Sequence, residues 1–583
     1  MCGIAGIAGH TAARFAPALE AMCGALRHRG PDAQGRQFFS RCALGHTRLS
    51  IVDHATGDQP FASNDGTLSV VFNGELYGYK ELRARLPVTF RSASDTELIP
   101  ALYALHGTQC VRHLPGMFAF ALWDDHRQRL LGARDRFGEK PLYYAHGPDG
   151  TFVFASELKA ILRSGLIRPV ISRTALSAYL TLRYVPEGMT IYENVHSLPP
   201  GHALIHQPAG NGEPASNGTT RVLPYWQPPA PMAAPPSPLE AVEEFRRLMT
   251  QAVRRCLVAD VEVGLLLSGG LDSTTIAALA SREMPLRSFS FGFTGPRDER
   301  PYARAAAAAY GLEHTELTDA TGKPDFSDML NMLCRVYDEP FADSSALPTY
   351  QLCRRVSERV KVALSGDGGD ELLAGYDYWY AHLVSPPAAD APCHGWSPAA
   401  ERHWNDIAHF SPAEIEAMGL PPMVRPRLPF AANSVDDALR FDLATFLPAD
   451  ILKKTDRAAM AHGLELRAPF LDTDLAEFLI ALPWQYKTDG TTHKLLLRQA
   501  FADAWPEAIR HRGKQGFGTS TGQWLAHPGM QLLREYYLKD RNRRIRTLLP
   551  DEQIDRHASG NGQKCWLLLV LAAWLEHAEW HAQ

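Results

Sequence analysis

Residues 199–238 hold 11 of the chain's 42 prolines, and neither a helix nor an interior strand runs uninterrupted through proline at that density. With Gly, Ala and Asn between them and almost no charge, the stretch reads as a linker or a long surface excursion. It divides the 583 residues into two bodies of unequal size, 2–198 before it and 241–583 after it, with 199–240 as the Pro-rich connection.

The two bodies differ in pattern. Before the prolines come short strand-like runs, LGHTRLSIV at 44–52, LSVVFN at 68–73, MFAFALW at 117–123, RLLGARD at 129–135 and TFVFAS at 151–156. Leu19, Met22 and Leu26 mark one helix face, and Asp95 opens a second helix candidate. This predicts sheets packed with a minority of helices. After the prolines, continuous apolar strands such as VEVGLLL at 261–267, LRSFSFGF at 286–293 and VKVALS at 360–365 alternate with helical segments. Strands buried on both faces and separated by helices predict a parallel, doubly wound sheet. Beyond about residue 380 the pattern is mostly helical.

Charge excludes one class of partner. Lys plus Arg 59 against Asp plus Glu 64 leaves a net charge of −5, without a basic field for phosphate backbones, so no nucleic acid is expected. Nine scattered cysteines with no CxxC pair predict neither a disulfide framework nor a zinc site and fit a reducing cytoplasm. The apolar run Trp566–Leu575 is far short of the roughly 20 residues that span a bilayer, so no membrane partner is expected. MCGIAGIAGH lacks the basic start of a secretory signal.

If Met1 is removed, Cys2 carries both a thiol and a free α-amino group, so one residue supplies nucleophile and base. RHRGPD at 27–32, RLSIVD at 48–53, FNGELY at 72–77 and SASDTE at 92–97 follow in order. Each has a plain structural reading: Arg48 as a surface arginine, Asn73–Gly74 as a hairpin turn, Asp95 as a helix cap. Together with MCGI they resemble the glutaminase domain of the class II, N-terminal-nucleophile glutamine amidotransferases. The resemblance implies that Cys2 attacks the glutamine side-chain amide and that Asn73 and the Gly74 amide form the oxyanion hole. It also implies that Arg48 holds the glutamine α-carboxylate, with Glu75 and Asp95 orienting the substrate, Asp95 through its α-ammonium.

In the second body a strand runs into SGGLDS at 268–273 and then into helical TTIAALAS, a glycine turn that aims backbone N–H groups at an anion. It lacks the Gly-Lys-Ser/Thr of a P-loop and carries Asp272 where a metal bridged to pyrophosphate needs a carboxylate. LSGDGGDELLAGY at 364–376 packs Asp367, Asp370 and Glu371 into five residues, whose repulsion calls for a bound divalent cation or a cationic substrate. With DEPFADSSALPTY at 338–350, KKTDRAAMAHGLELRAPFLD at 453–472, THKLLLRQAF at 492–501 and RGKQGFG at 512–518, these segments resemble the synthetase domain of the glutamine-hydrolysing asparagine synthetases. The resemblance covers nearly the whole chain. It implies an α/β multidomain fold: an N-terminal αββα Ntn-hydrolase sandwich and a C-terminal doubly wound parallel-sheet PP-loop domain with added helices. By the same resemblance Leu267, Ser268, Gly269, Gly270, Asp272, Ser273, Phe291, Ser365 and Gly366 bind ATP and its pyrophosphate. Asp272 and Asp370 hold Mg²⁺, and Asp367 and Lys494 act in catalysis. Two departures stand out: Asp367 where some members carry glutamate, and Thr519–Ser520 after GFG where many carry an apolar residue and proline. His314 reads equally well as a satisfied histidine and is left outside the site.

The implied reaction hydrolyses glutamine, adenylates a carboxylic acid with ATP, and passes ammonia internally to the acyl-adenylate. Aspartate is the leading acceptor, and the family implies a homodimer. A different carboxylate, in natural-product or surface-glycan biosynthesis, is the first alternative, because acceptor-binding residues are the least motif-like. An intramolecular ligase resembling β-lactam or lasso-peptide cyclases needs no glutaminase, which Cys2, Arg48, Asn73 and Asp95 argue against. A non-catalytic sensor is disfavoured by two complete sets of site residues.

Overall fold

The structure, a computed structural model, describes residues 1–9, 12–209, 218–292, 298–318, 325–384, 398–424, 435–513, 516, 521–560 and 562–577. Among them the first body contains strands β1 (Cys2–Ala8), β2 (Ala33–Phe38), β3 (Cys42–Arg48), β4 (Phe61–Ala62), β5 (Leu68–Glu75) and β6 (Met117–Asp124). It continues with β7 (Arg129–Arg134), β8 (Tyr143–His146), β9 (Phe152–Ala155), β10 (Val195–Ser197), β11 (His202–Gln207) and β12 (Thr219–Pro224). They form two sheets, in the orders β10-β8-β9-β1-β3-β2 and β12-β11-β7-β6-β5-β4.

The two-residue period of β6 shows how the layers are built. Ala119, Ala121 and Trp123 face the other sheet, where Ile4, Leu44, Phe152 and Phe154 meet them. Phe118, Phe120 and Leu122 face outward onto Leu98, Ile99, Leu102 and Tyr103 of the helix Leu98–His106. The other sheet turns Ala5, Ile7 and Ala43 to Leu19, Met22 and Leu26 at the helix Ala16–Ala25. The result is four layers, helix–sheet–sheet–helix.

The Pro-rich segment differs from expectation, since β11 and β12 both lie in it. Its prolines fall where a missing N–H costs little: Pro199 and Pro200 before β11, Pro208 just after it, and Pro224 closing the edge strand β12. Irregular chain follows until Ser237 caps the helix Pro238–Cys256 in a reciprocal capping box with Glu240.

The second body is built on β13 (Val263–Leu266), β14 (Arg287–Gly292), β15 (Glu313–Thr318), β16 (Val362–Leu364) and β17 (Glu465–Arg467). All neighbours are parallel, in the order β15-β14-β13-β16-β17. Val263, Leu265, Val362 and Leu364 pack on one face against Phe245, Met249 and Ala277. Phe289, Phe291 and Ala363 pack on the other against Leu352, Val356 and Ala458. Strand order reverses between β13 and β16, and a doubly wound sheet opens its ligand crevice at that switch point, beyond the carboxyl ends of the strands.

The halves are not separate cores. The apolar cluster on the outer face of the first sheet continues through Tyr179 and Leu180 to Trp566–Leu575 of the C-terminal helix, and the Tyr179 hydroxyl donates to Leu567 O at 2.8 Å.

Candidate functional site

The first cluster of expected residues forms because β1, β3 and β5 bring it together. Cys2 and Arg48 are direct partners across β1 and β3. The Cys2 backbone N–H donates to Asn73 Oδ1 at 2.9 Å. Asn73 and Gly74 are not a turn but ladder positions of β5 opposite Ala119 and Phe118. A side chain at Gly74 would stand 2.2 Å from Met117 O, so the strands admit only glycine there. The Asn73 Nδ2 amide is buried and has no hydrogen-bond partner among the described residues, a donor kept for something the protein itself does not supply.

Arg48 is buried rather than superficial, its guanidinium held by Asp58 Oδ1 at 2.7 Å and Asp53 O at 2.5 Å. Asp95 does not cap its helix; the Ser94 side chain does, while Asp95 Oδ2 accepts from Leu76 N–H at 2.9 Å. Burial raises the Asp95 carboxyl to about 6. Burial also pushes the Cys2 thiol up, against the opposing pull of the α-ammonium group, the Leu49 N–H and Arg48. Glu75 turns toward the other body, with Arg467 Nη2 3.3 Å away.

The second cluster occupies the switch point. Leu267–Gly270 link β13 to the helix Leu271–Ala280, with Gly269 at φ +69° packed against Tyr302. Ser268 Oγ accepts from Gly270 N–H at 3.2 Å and lies 3.1 Å from Ser273 Oγ. After β16, Ser365 Oγ donates to Asp367 Oδ2 at 2.8 Å. Lys494 bridges the loops, its Nζ 2.5 Å from Asp272 Oδ2 and 2.6 Å from Asp370 Oδ1. Burial raises Asp367, as do Asp370 and Asp272, against Ser365 and Lys454. A cavity of about 800 Å³ opens here, and every expected synthetase residue except Gly269 lines it. His314 is held between Ser288 Oγ and Ser290 Oγ at 2.9 and 3.1 Å, a satisfied histidine. Thr519 and Ser520 lie outside the described residues.

Comparison with known proteins matches these two bodies separately. The family model for the glutamine amidotransferase domain covers residues 1–216, and that for asparagine synthase covers residues 244–576. Asparagine synthetase (glutamine-hydrolyzing) 1 of Bacillus subtilis is 31% identical over 98% of this chain and 96% of its own length. The chain belongs to the glutamine-hydrolysing asparagine synthetase family. A putative asparagine synthetase (glutamine-hydrolyzing) of Mycobacterium tuberculosis is 33% identical over 98% of this chain and 97% of that one. Amidase chry2 of Gibberella zeae is 28% identical over 91% and 90%. Among solved structures, a glutamine phosphoribosylpyrophosphate amidotransferase from B. subtilis aligns at TM-score 0.28 and 17% identity over 64% of this chain and 77% of that one.

In this family member several residues around the amidotransferase cluster carry no motif signal of their own. Arg29 donates to Cys2 O at 3.1 Å and grips Asp456 of the synthetase body through two N–H groups at 2.8 and 3.0 Å. Glu465 and Arg467 come from β17, Glu465 pairing with the α-ammonium of Met1 at 2.7 Å and with Arg467 at 2.6 Å. They sit in segments the sequence singles out, but Asp456 for Arg29, Met1 for Glu465 and Glu75 for Arg467 lie hundreds of residues away, and no local pattern names those partners.

Proposed function

We propose that this family member is a glutamine-dependent asparagine synthetase with aspartate as acceptor, built as a glutaminase unit that continues past 198 through β11 and β12 of the Pro-rich segment 199–240, and a synthetase unit (241–583). The observation that carries this reading is that one strand pair serves both clusters. β16 ends in Ser365–Asp367 on the large cavity, while its neighbour β17 sends Arg467 to Glu75 and Glu465 to the N-terminus. A void of about 20 Å³ is lined by Met1 together with Ser365 and Asp367, and loss of Met1 would enlarge it. That is room for about one water-sized molecule, and ammonia is of that size.

With Met1 removed, the Cys2 amine takes the thiol proton and the thiolate attacks the glutamine amide carbon. The unpartnered Asn73 Nδ2 and the Gly74 N–H stabilise the oxyanion, Arg48 and Asp95 hold the α-groups, and collapse of the tetrahedral adduct releases ammonia. Water then hydrolyses the thioester to glutamate. In the synthetase unit the aspartate side-chain carboxylate attacks the ATP α-phosphorus and pyrophosphate leaves; ammonia attacks the acyl-adenylate, releasing AMP and asparagine. Asp272 and Asp370, two carboxylates converging on one cation position beside the glycine loop, fit Mg²⁺, which takes few protein ligands when phosphates and water complete its shell. Bound there, it would neutralise pyrophosphate charge. Lys494 would carry charge developing on the α-phosphate, Asp367 would orient Ser365 and the loop, and Leu267 and Phe291 would flank the nucleotide. Cytoplasmic residence agrees with eight free, buried cysteines among the described residues.

AMP release over a panel of carboxylic acids, with and without glutamine, tests the reading. Aspartate should give asparagine, AMP and pyrophosphate in step, and a protein that amidates another acid but not aspartate overturns it. Amidation of another carboxylate is the second reading; a relative aligned over 91% of this chain carries a name other than asparagine synthetase.

A further inference from the structure

The wall of the large cavity is built from both halves of the chain. Arg183, within the segment matched by the amidotransferase model, lines it together with Lys454, Tyr376, Trp379 and Phe446 of the synthetase half. Arg183 ends the helix Arg173–Leu182 at φ +69°, a left-handed conformation that non-glycine residues seldom adopt and that tends to persist at functional positions. Its Nε and Nη2 both donate to Asp450 Oδ2, at 3.0 and 2.8 Å, and its guanidinium lies 5.7 Å from the centre of the Phe446 ring. Those contacts fix the planar group, while Nη1 makes no hydrogen bond among the described residues.

The other cations on the cavity wall also have acidic partners. Lys494 is bridged by Asp272 and Asp370, and Arg512 is held by Ser268 O and Glu299. Lys454 pairs with Asp343 at 3.0 Å. Burial and the neighbouring Asp343 raise the Asp450 carboxyl to about 7, so Asp450 is only partly ionised at neutral pH. The Phe446 ring meets Trp379 at 5.2 Å and Tyr376 at 5.9 Å, an aromatic wall beside the Arg183 guanidinium.

We propose that Arg183, with Lys454 linked to it through Asp343 and Asp450, binds a second, non-reacting carboxylate of the acceptor, so that the cavity selects dicarboxylic over monocarboxylic acids. This rests on the synthetase reading above and sharpens it: the glutaminase half supplies a residue that reads the acceptor. Forked, charge-assisted pairing is what a guanidinium does best with a carboxylate.

Aspartate, succinate, which lacks the amino group, and β-alanine, which lacks the α-carboxylate, separate the alternatives by AMP formation with glutamine present. Aspartate and succinate should be turned over and β-alanine should not. Arg183→Gln should raise the KM for aspartate on the order of 10- to 100-fold, the worth of a hydrogen bond to a charged group, leave the KM for ATP unchanged, and erase the preference for succinate over β-alanine. Arg183→Lys should recover part of the loss. Arg183→Asn, which tolerates the left-handed backbone, should behave like the Gln variant, separating loss of the contact from misfolding. Turnover of aspartate with a wild-type KM in the Gln and Asn variants overturns the inference and leaves the synthetase reading standing. Turnover of succinate but not aspartate, abolished by Arg183→Gln, supports the inference and overturns the aspartate reading. Turnover of monocarboxylic acids alone overturns both.

Discussion

Asn73 shows how one side chain carries an expectation into geometry. Its Oδ1 holds the Cys2 backbone while its Nδ2 is buried without a partner among the described residues, an arrangement that costs free energy unless a ligand oxygen arrives. Asn73→Ala should lower glutaminase kcat by roughly 10²–10³, as for other oxyanion donors, and leave ammonia-dependent AMP formation intact; stopped assays with glutamine and with ammonium salts separate the two. Asp95 sets a pH dependence. Its carboxyl, raised to about 6 by burial, loses its charge as pH falls through that value, and with it the proposed partner for the glutamine α-ammonium. The expected outcome is a fall in kcat/KM for glutamine below about pH 6 that Asp95→Asn removes along with most of the activity; a flat profile from pH 7 to 5 would count against the assignment.

The strand–turn–helix element after β13 was legible in SGGLDS, because a glycine turn between a buried strand and a helix has few other uses. What the motif does not say is that its glycines are unequal. Gly269 needs φ +69°, and a Cβ there would lie 2.5 Å from Tyr302 backbone, whereas at Gly270 the nearest atom is the Ser268 hydroxyl at 3.2 Å. Gly269→Ala should cost about 1–3 kcal/mol in backbone strain, more with the clash, and abolish AMP formation, while Gly270→Ala should be milder in both. Thermal melts and ATP–pyrophosphate exchange on the two variants check the ranking. The Pro-rich segment misled in the other direction. Density of proline implied irregular chain, yet β11 and β12 form there because the prolines sit at strand ends and on a sheet edge, which a count of prolines does not record.

Across the whole molecule, the halves are joined by buried charges as well as by a shared apolar core. Arg467 reaches Glu75 in one half and Glu465 in its own strand, and its backbone carbonyl accepts from Ser365 N–H at 2.8 Å, beside the large cavity. Removing one partner from buried pairs of this kind costs about 3–5 kcal/mol, because the remaining charges stay buried. Arg467→Met should therefore lower the melting temperature and break the match between the two reactions, so that glutamate released exceeds AMP formed. A variant of wild-type stability that still gives one AMP per glutamate would show that the link is only structural.

The sequence by itself determined the family and named the candidate site residues. Cys2, Arg48, Asn73–Gly74, Asp95 and the two glycine-rich loops are short contiguous patterns, legible without any knowledge of what they pack against. It also determined the α/β character of both bodies, since periods of two and continuous buried runs are local properties. Only the tertiary structure decided that Asn73–Gly74 is a ladder position rather than a turn, that Ser94 and not Asp95 caps the helix, and that Arg29, Glu465, Arg467 and Arg183 cross between the halves. Those contacts join residues 267 to 464 positions apart, and a pairing over such distances is set by which faces pack together, not by anything written near either residue.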